Sequence, residues 1–142
     1  MEHVKKEITV KVQVNLSPHI VWEYWTNPEH IVNWNCASDD WHTPTAVNDL
    51  QQGGWFRWRM EAKDRSAGFD FEGRYDEIVP NEKIVYTMAD GRKVKILFTN
   101  VDNNTLIIET FDTENLNPAD MQRAGWQAIL DRFKYYVELN EK

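Results

Sequence analysis

Gly53-Gly54-Trp55-Phe56-Arg57-Trp58-Arg59-Met60-Glu61-Ala62 and, after a polar turn, Gly68-Phe69-Asp70-Phe71-Glu72-Gly73-Arg74-Tyr75-Asp76 decide the fold. Both stretches alternate. Phe56, Trp58 and Met60 share one face, with Arg57, Arg59 and Glu61 on the other. Phe69, Phe71, Gly73 and Tyr75 likewise oppose Asp70, Glu72, Arg74 and Asp76. A period of two marks an extended strand with one buried face, and the short link makes the pair antiparallel neighbours. The charges select a register. With Arg59 opposite Asp70, Arg57 meets Glu72 and Trp55 meets Arg74; the next same-face register sets Arg57 against Arg74 and Glu61 against Asp70. Opposite charges across strands stabilise by roughly 0.2–1 kcal/mol and like charges destabilise, so the first register is expected. The charged face reads as a solvated sheet surface of ion pairs rather than an acid–base site.

The same period extends outward, over Ile8–Val14, Thr45–Asp49, Lys83–Ala89, Lys93–Val101 and Thr105–Asp112. Ile84, Tyr86 and Met88, then Val94, Ile96 and Phe98, continue the apolar face. Three helix starts stand out, each an N-cap residue before proline: Ser17-Pro18, Asn27-Pro28 and Asn117-Pro118. The side-chain oxygen can take an orphan N–H, and proline lacks the donor that would be wasted there. They predict two short helices, Pro18–Trp25 and Pro28–Asn33, and a long one, Pro118–Leu139. At ~1.5 Å per residue the long helix reaches about 33 Å, across a whole small domain. The order is strand, two short helices, six strands, long helix. This is an α+β chain whose apolar sheet face has one large element to cover it.

The 142 residues suit a single domain, 1–142. Sixteen basic against 23 acidic residues give a net charge of −7, which argues against a nucleic-acid or anionic-membrane partner. No apolar run approaches the ~20 residues of a membrane span. Met1-Glu2-His3-Val4-Lys5-Lys6 lacks the apolar core of a signal peptide, and the lone Cys36 permits no intrachain disulfide, so a cytoplasmic setting is expected. Aromatic residues make up 13%, with seven tryptophans; in so small a chain they either overfill a core or wall a cavity.

Four stretches in order over nearly the whole chain carry a resemblance: Ser17-Pro18-His19-Ile20-Val21-Trp22-Glu23-Tyr24-Trp25-Thr26-Asn27-Pro28; Gly53-Gly54-Trp55-Phe56-Arg57-Trp58-Arg59-Met60; Phe71-Glu72-Gly73-Arg74-Tyr75-Asp76-Glu77-Ile78-Val79-Pro80; and Gly125-Trp126-Gln127-Ala128-Ile129-Leu130. The chain resembles the START-like (SRPBCC or Bet v-like) superfamily, in the AHSA-like branch similar to the C-terminal domain of the heat-shock protein 90 ATPase activator. The resemblance implies a helix-grip fold, in which a curved antiparallel sheet of six to seven strands grips the C-terminal helix around a cavity and two short helices close one end. It departs at Trp34-Asn35-Cys36-Ala37-Ser38-Asp39-Asp40-Trp41-His42, where members often carry a Trp-Trp-Gly-Pro-like segment; this polar loop is expected near the cavity mouth.

The candidate ligand-binding residues are Trp34, Phe56, Trp58, Met60, Phe69, Phe71, Tyr75, Tyr86, Met88, Phe98, Met121, Trp126, Ile129 and Phe133. Other constellations are weaker. Cys36, Asp39, Asp40 and His42 in one loop are poor zinc geometry, and no metal is expected. Cys36 is read as inert, its pKa raised by Asp39 and Asp40. Glu77 and Glu109 could face either way, with an outward or rim position expected. No Gly-rich phosphate loop or cofactor motif occurs. The leading function is binding of a hydrophobic, aromatic or lipid-like molecule. The superfamily also implies an enzyme alternative of cyclase, dehydratase or hydrolase type, for which a buried polar pair in the pocket, such as Tyr75 with Glu77 or His42, would speak. A chaperone-interacting module ranks last, because the sequence carries no companion domain.

Overall fold

The computed structural model describes residues 6–141. In chain order it contains β1 (Glu7–Val14), α1 (Pro18–Thr26), α2 (Pro28–Trp34), β2 (Trp41–Asn48), β3 (Trp55–Ala62), β4 (Gly68–Val79), β5 (Lys83–Met88), β6 (Lys93–Val101), β7 (Asn104–Asp112) and α3 (Ala119–Asn140). The seven strands form one antiparallel sheet in the order β1-β7-β6-β5-β4-β3-β2. α1 and α2 carry the chain from the β1 edge to the β2 edge. This is the α+β helix-grip architecture.

The β3–β4 register is the one the charges select: Trp55 faces Arg74, Arg57 faces Glu72 and Arg59 faces Asp70. On the outer face Arg57 Nε donates to Glu72 at 2.8 Å, Arg59 Nη1 reaches Asp70 at 3.5 Å, and the Arg74 guanidinium lies 4.9 Å from the Trp55 ring centre. Two bulges bend the sheet. One lies between His42 and Thr45 on the edge strand β2, where Pro44 has no donor to give; β2 therefore starts at Trp41, earlier than alternation alone predicts. The other lies between Tyr75 and Glu77 and resets the phase, so that Ile78 pairs with Ile84 and packs against the core while Glu77 turns outward to Lys83 at 3.0 Å.

Of the three expected N-caps, Asn27 alone caps with its side chain, accepting from the Glu29 N–H at 3.0 Å. The Ser17 hydroxyl bonds His19 Nδ1 instead. Asn117 turns its amide back to Glu114 Oε1, so Pro118 occupies the cap position of α3 and the helix begins one residue later than expected.

α3 is fastened along the free side of β1. Arg123 Nη1 donates to the Thr9 carbonyl at 3.0 Å, Gln127 Nε2 to the Lys11 carbonyl at 3.0 Å, and Lys134 Nζ to the Gln13 carbonyl at 2.6 Å. Glu138 accepts the Asn15 N–H at 2.8 Å. Arg123 and Gln127 lie four helical residues, about 6 Å, apart, close to the ~6.7 Å between alternate strand residues, and the long Lys134 side chain reaches back over the wider second interval. The edge is thereby covered. Below the C-terminal half of α3 the core is solid. Leu130, Phe133 and Val137 are fully buried. Phe133 packs edge-on to Trp34 at 4.8 Å and Trp25 at 4.9 Å, and Phe98 meets Trp22 at 5.3 Å.

Gly73 is a fixed point of the sheet. A Cβ there would stand 2.5 Å from the Thr87 carbonyl oxygen and 3.0 Å from the Phe56 ring opposite. Replacement by Ala is expected to lower unfolding stability by about 1–3 kcal/mol. A urea midpoint equal to that of the parent protein would show that both the β5 backbone at Thr87 and the Phe56 ring are free to move aside.

Candidate functional site

A cavity of about 540 Å³ lies between the sheet and the N-terminal half of α3. Each strand contributes the apolar face that its alternation assigns. β3 supplies Phe56, Trp58 and Met60, β4 supplies Phe69, Phe71 and Tyr75, and β5 supplies Ile84, Tyr86 and Met88. α2 adds Trp34, and α3 roofs the space with Met121, Trp126 and Ile129. Trp126 lies flat on Phe111, with centroids 4.0 Å apart and planes at 9°. Phe69 and Met121 are 48% and 60% exposed, which puts them at the rim.

Two of the expected residues stand elsewhere. Phe98 and Phe133 belong to the solid end, where α1 and α2 press Trp22, Trp25 and Trp34 against them. α1 also supplies an unanticipated lining residue, Trp25. The loop after α2 reaches the cavity through Asn35 and Ala37 only. Cys36 is buried, and burial, more than the charge of Asp39, pushes its thiol up. Asp39 is held by Arg132 at 2.9 Å, and His42 leans toward Glu61 at 3.9 Å. Among the described residues no group of three His, Cys, Asp or Glu is placed to hold a metal.

The polar content of the cavity is small and specific. Tyr75 donates its hydroxyl to Asn48 Oδ1. The Trp58 indole N–H is buried without a partner among the described residues. Gln122, at the first turns of α3, ties the preceding loop by donating to the Glu114 and Asn117 carbonyls. The expectation for Glu109 fails. It is 5% exposed, lines the cavity, and makes no hydrogen bond or ion pair among the described residues. The signal was its phase in β7: Thr105, Ile107 and Phe111 all face inward, and residue 109 sits between the last two. Burial pushes the Glu109 carboxyl up to about 8 and the neighbouring Tyr86 phenol well above its ordinary value, Glu109 adding to the latter shift. At neutral pH both are protonated, and the carboxyl is poised to donate or to lose its proton.

The same carboxyl makes stability pH-dependent. It titrates at 4.5 as a free side chain and at about 8 in the fold. Between these values the folded chain keeps a proton that the unfolded chain has lost, so stability declines as pH rises, by at most ~1.4 kcal/mol per pH unit, and levels off above the upper value. Glu109→Gln is expected to unfold at higher urea than the parent at pH 8 and at nearly the same urea at pH 5. A difference independent of pH would mean that Glu109 is ionised throughout.

Residues 15–138 match the family model described as Activator of Hsp90 ATPase homolog 1-like protein. The solution structure of an AHSA1-like protein from Aeromonas hydrophila is 40% identical, superposes with a TM-score of 0.90, and the match covers 96% of this chain and 94% of that one. A solution structure from Cytophaga hutchinsonii is 51% identical with a TM-score of 0.83, over 94% and 93% of the two chains. A protein from Chromobacterium violaceum shares the fold at 20% identity, with a TM-score of 0.82 over 94% and 98%. No curated protein sequence matches the chain.

Proposed function

The chain belongs to the Activator of Hsp90 ATPase homolog 1-like family of the START-like superfamily, and from that premise we propose that it is a small-molecule binding protein for a hydrophobic, ring-bearing guest. The observation that carries this reading is the aromatic hollow of about 540 Å³ beneath α3. Its volume falls within the roughly 300–1,000 Å³ of sites that take small ligands, and its few polar groups converge from several elements. No helix of the described residues is long and apolar enough to cross a membrane. For the single buried thiol, Cys36, we propose a reducing, cytoplasmic setting.

Magnitudes set what such a site can do. A two-ring hydrocarbon losing roughly 300 Å² of apolar surface gains about 7 kcal/mol, at ~25 cal/mol per Å². Association subtracts at least ~4 kcal/mol. The remainder corresponds to millimolar binding, so useful affinity requires a polar contact as well.

One observation favours a second reading, an enzyme: the buried pair Tyr86 and Glu109 in the cavity, with the carboxyl at about 8, is the kind of polar pair that acid–base chemistry uses. It differs from the pairs expected, Tyr75 with Glu77 or His42, neither of which points its second member into the cavity.

Gly125 of α3 lines the cavity, and a Cβ built on it meets nothing within 4 Å. Gly125→Phe is therefore expected to fill the hollow and remove a helix-weakening glycine together. The parent protein is expected to show a raised melting temperature and quenched tryptophan fluorescence with 2-(1-naphthyl)ethanol, whose hydroxyl supplies the polar contact, and Gly125→Phe neither response. A folded Gly125→Phe variant that responds as the parent does would place the guest outside the cavity.

A further inference from the structure

We propose that the cavity selects a hydrophobic organic cation, an amine whose N–H groups meet the Glu109 carboxyl while its ring or chain lies among Trp58, Phe71, Tyr86 and Trp126. The proposal rests on the reading of the hollow as a ligand site and names the chemistry that would fill it.

Glu109 is a charged residue type placed without a partner in an apolar wall. Such a group is costly to bury unless something pairs with it. Among the described residues no cation pairs with Glu109. Arg92 is the basic side chain on the cavity lining among the described residues, and its Nε is bound to Asp90 Oδ2 at 2.8 Å. The remaining lining charges are acidic. Asp70 and Glu72 are engaged on the outer face by Arg59 and Arg57, and Glu114 accepts from Asn117. A fatty acid or any other anion entering this space would meet several carboxylates and one cation, Arg92, whose charge Asp90 already offsets. A cation would meet one carboxyl and four ring systems.

The rings pack against Phe71 as one aromatic wall of the cavity. The Phe71 centroid is 5.8 Å from Trp58, 6.2 Å from Tyr86 and 6.2 Å from Trp126. Aromatic faces attract ammonium groups, more strongly when water is excluded. Glu109 enters the same space from β7, opposite Ile96 on β6 and Val10 on β1, neither of which brings charge. The α3 residues on the cavity wall, Met121, Gln122, Gly125, Trp126 and Ile129, bring none either. The Tyr86 phenol of β5 is the ionisable neighbour coupled to Glu109, with Tyr75 and Arg92 coupled to Tyr86 in turn.

The balance of protons follows. In the empty cavity at neutral pH the carboxyl holds its proton, because burial lifts it to about 8. An ammonium guest binds the carboxylate, so that proton leaves to solvent on binding. Amine affinity therefore rises as pH climbs to about 8 and falls again only where the amine itself deprotonates. A neutral guest that accepts a hydrogen bond from the protonated carboxyl shows the opposite slope.

The test titrates the full chain and Glu109→Gln with 2-(1-naphthyl)ethylamine, 1-ethylnaphthalene and 1-naphthylacetate, by calorimetry and tryptophan fluorescence, between about pH 6.5 and 8.5. The amine is expected to bind the parent at least about tenfold more tightly than the hydrocarbon at the upper pH, with proton release and with affinity increasing as pH rises. Glu109→Gln is expected to keep hydrocarbon binding and lose the preference for the amine. An amine no tighter than the hydrocarbon, a preference that survives Glu109→Gln, an affinity that falls with rising pH, or tightest binding by naphthylacetate each overturns the cation while leaving the ligand site standing. Failure of all three probes to bind removes the ligand site and the proposal with it.

Discussion

The arrangement depends on where α3 is tied down. Its long polar side chains bond the open carbonyls of β1, so the helix axis follows one edge of a seven-stranded sheet rather than its midline. One helix is about 10 Å wide and strands are spaced about 4.8 Å apart, so a helix so placed cannot cover the strands at the other side. α1 and α2 supply the missing cover at one end, with Trp22, Trp25 and Trp34. At the other end nothing does, and β3, β4 and β5 face the hollow that the lining residues define.

This division of labour explains how a chain rich in rings holds both a tight core and an empty space. The residues under the C-terminal half of α3 interlock edge to face, which is where stability is earned. The residues under its N-terminal half pack side by side into a wall around Phe71 and leave the space beneath the helix unfilled. Glu109 sits in the second group and could not be accommodated in the first, where no space remains for a guest or for water to offset its burial. The polar side chain that weakens the fold is thus confined to the region that close packing has already left.

Alternation carried most of this plainly. Phe56, Trp58, Phe71 and Tyr86 could be assigned to one face from period alone, and Arg57, Arg59, Asp70 and Glu72 fixed the register because only one pairing avoids like charges. Three kinds of feature escaped. Bulges break the period, so the start of β2 at Trp41 and the inward turn of Ile78 were not readable by counting. Caps are decided by competition for the same side chain, and Glu114 outbids the α3 terminus for Asn117. Finally, period assigns a residue to a face but not to a position along the helix above it. Phe98 and Phe133 are on the right face at the solid end, whereas Glu109, expected outward or at the rim, follows the phase of Ile107 and Phe111 into the cavity.

The joint between α3 and β1 addresses main-chain oxygens rather than side chains. Its partners at positions 9, 11 and 13 present the same carbonyl whatever residue stands there, so mutation of Thr9, Lys11 or Gln13 leaves the seam intact. Sliding the strand by one position would not, since neighbouring carbonyls point to opposite sides and every one of the three bonds would lose its acceptor together. The seam acts as a vernier: indifferent to the spelling of the edge strand, and intolerant of any error in its alignment.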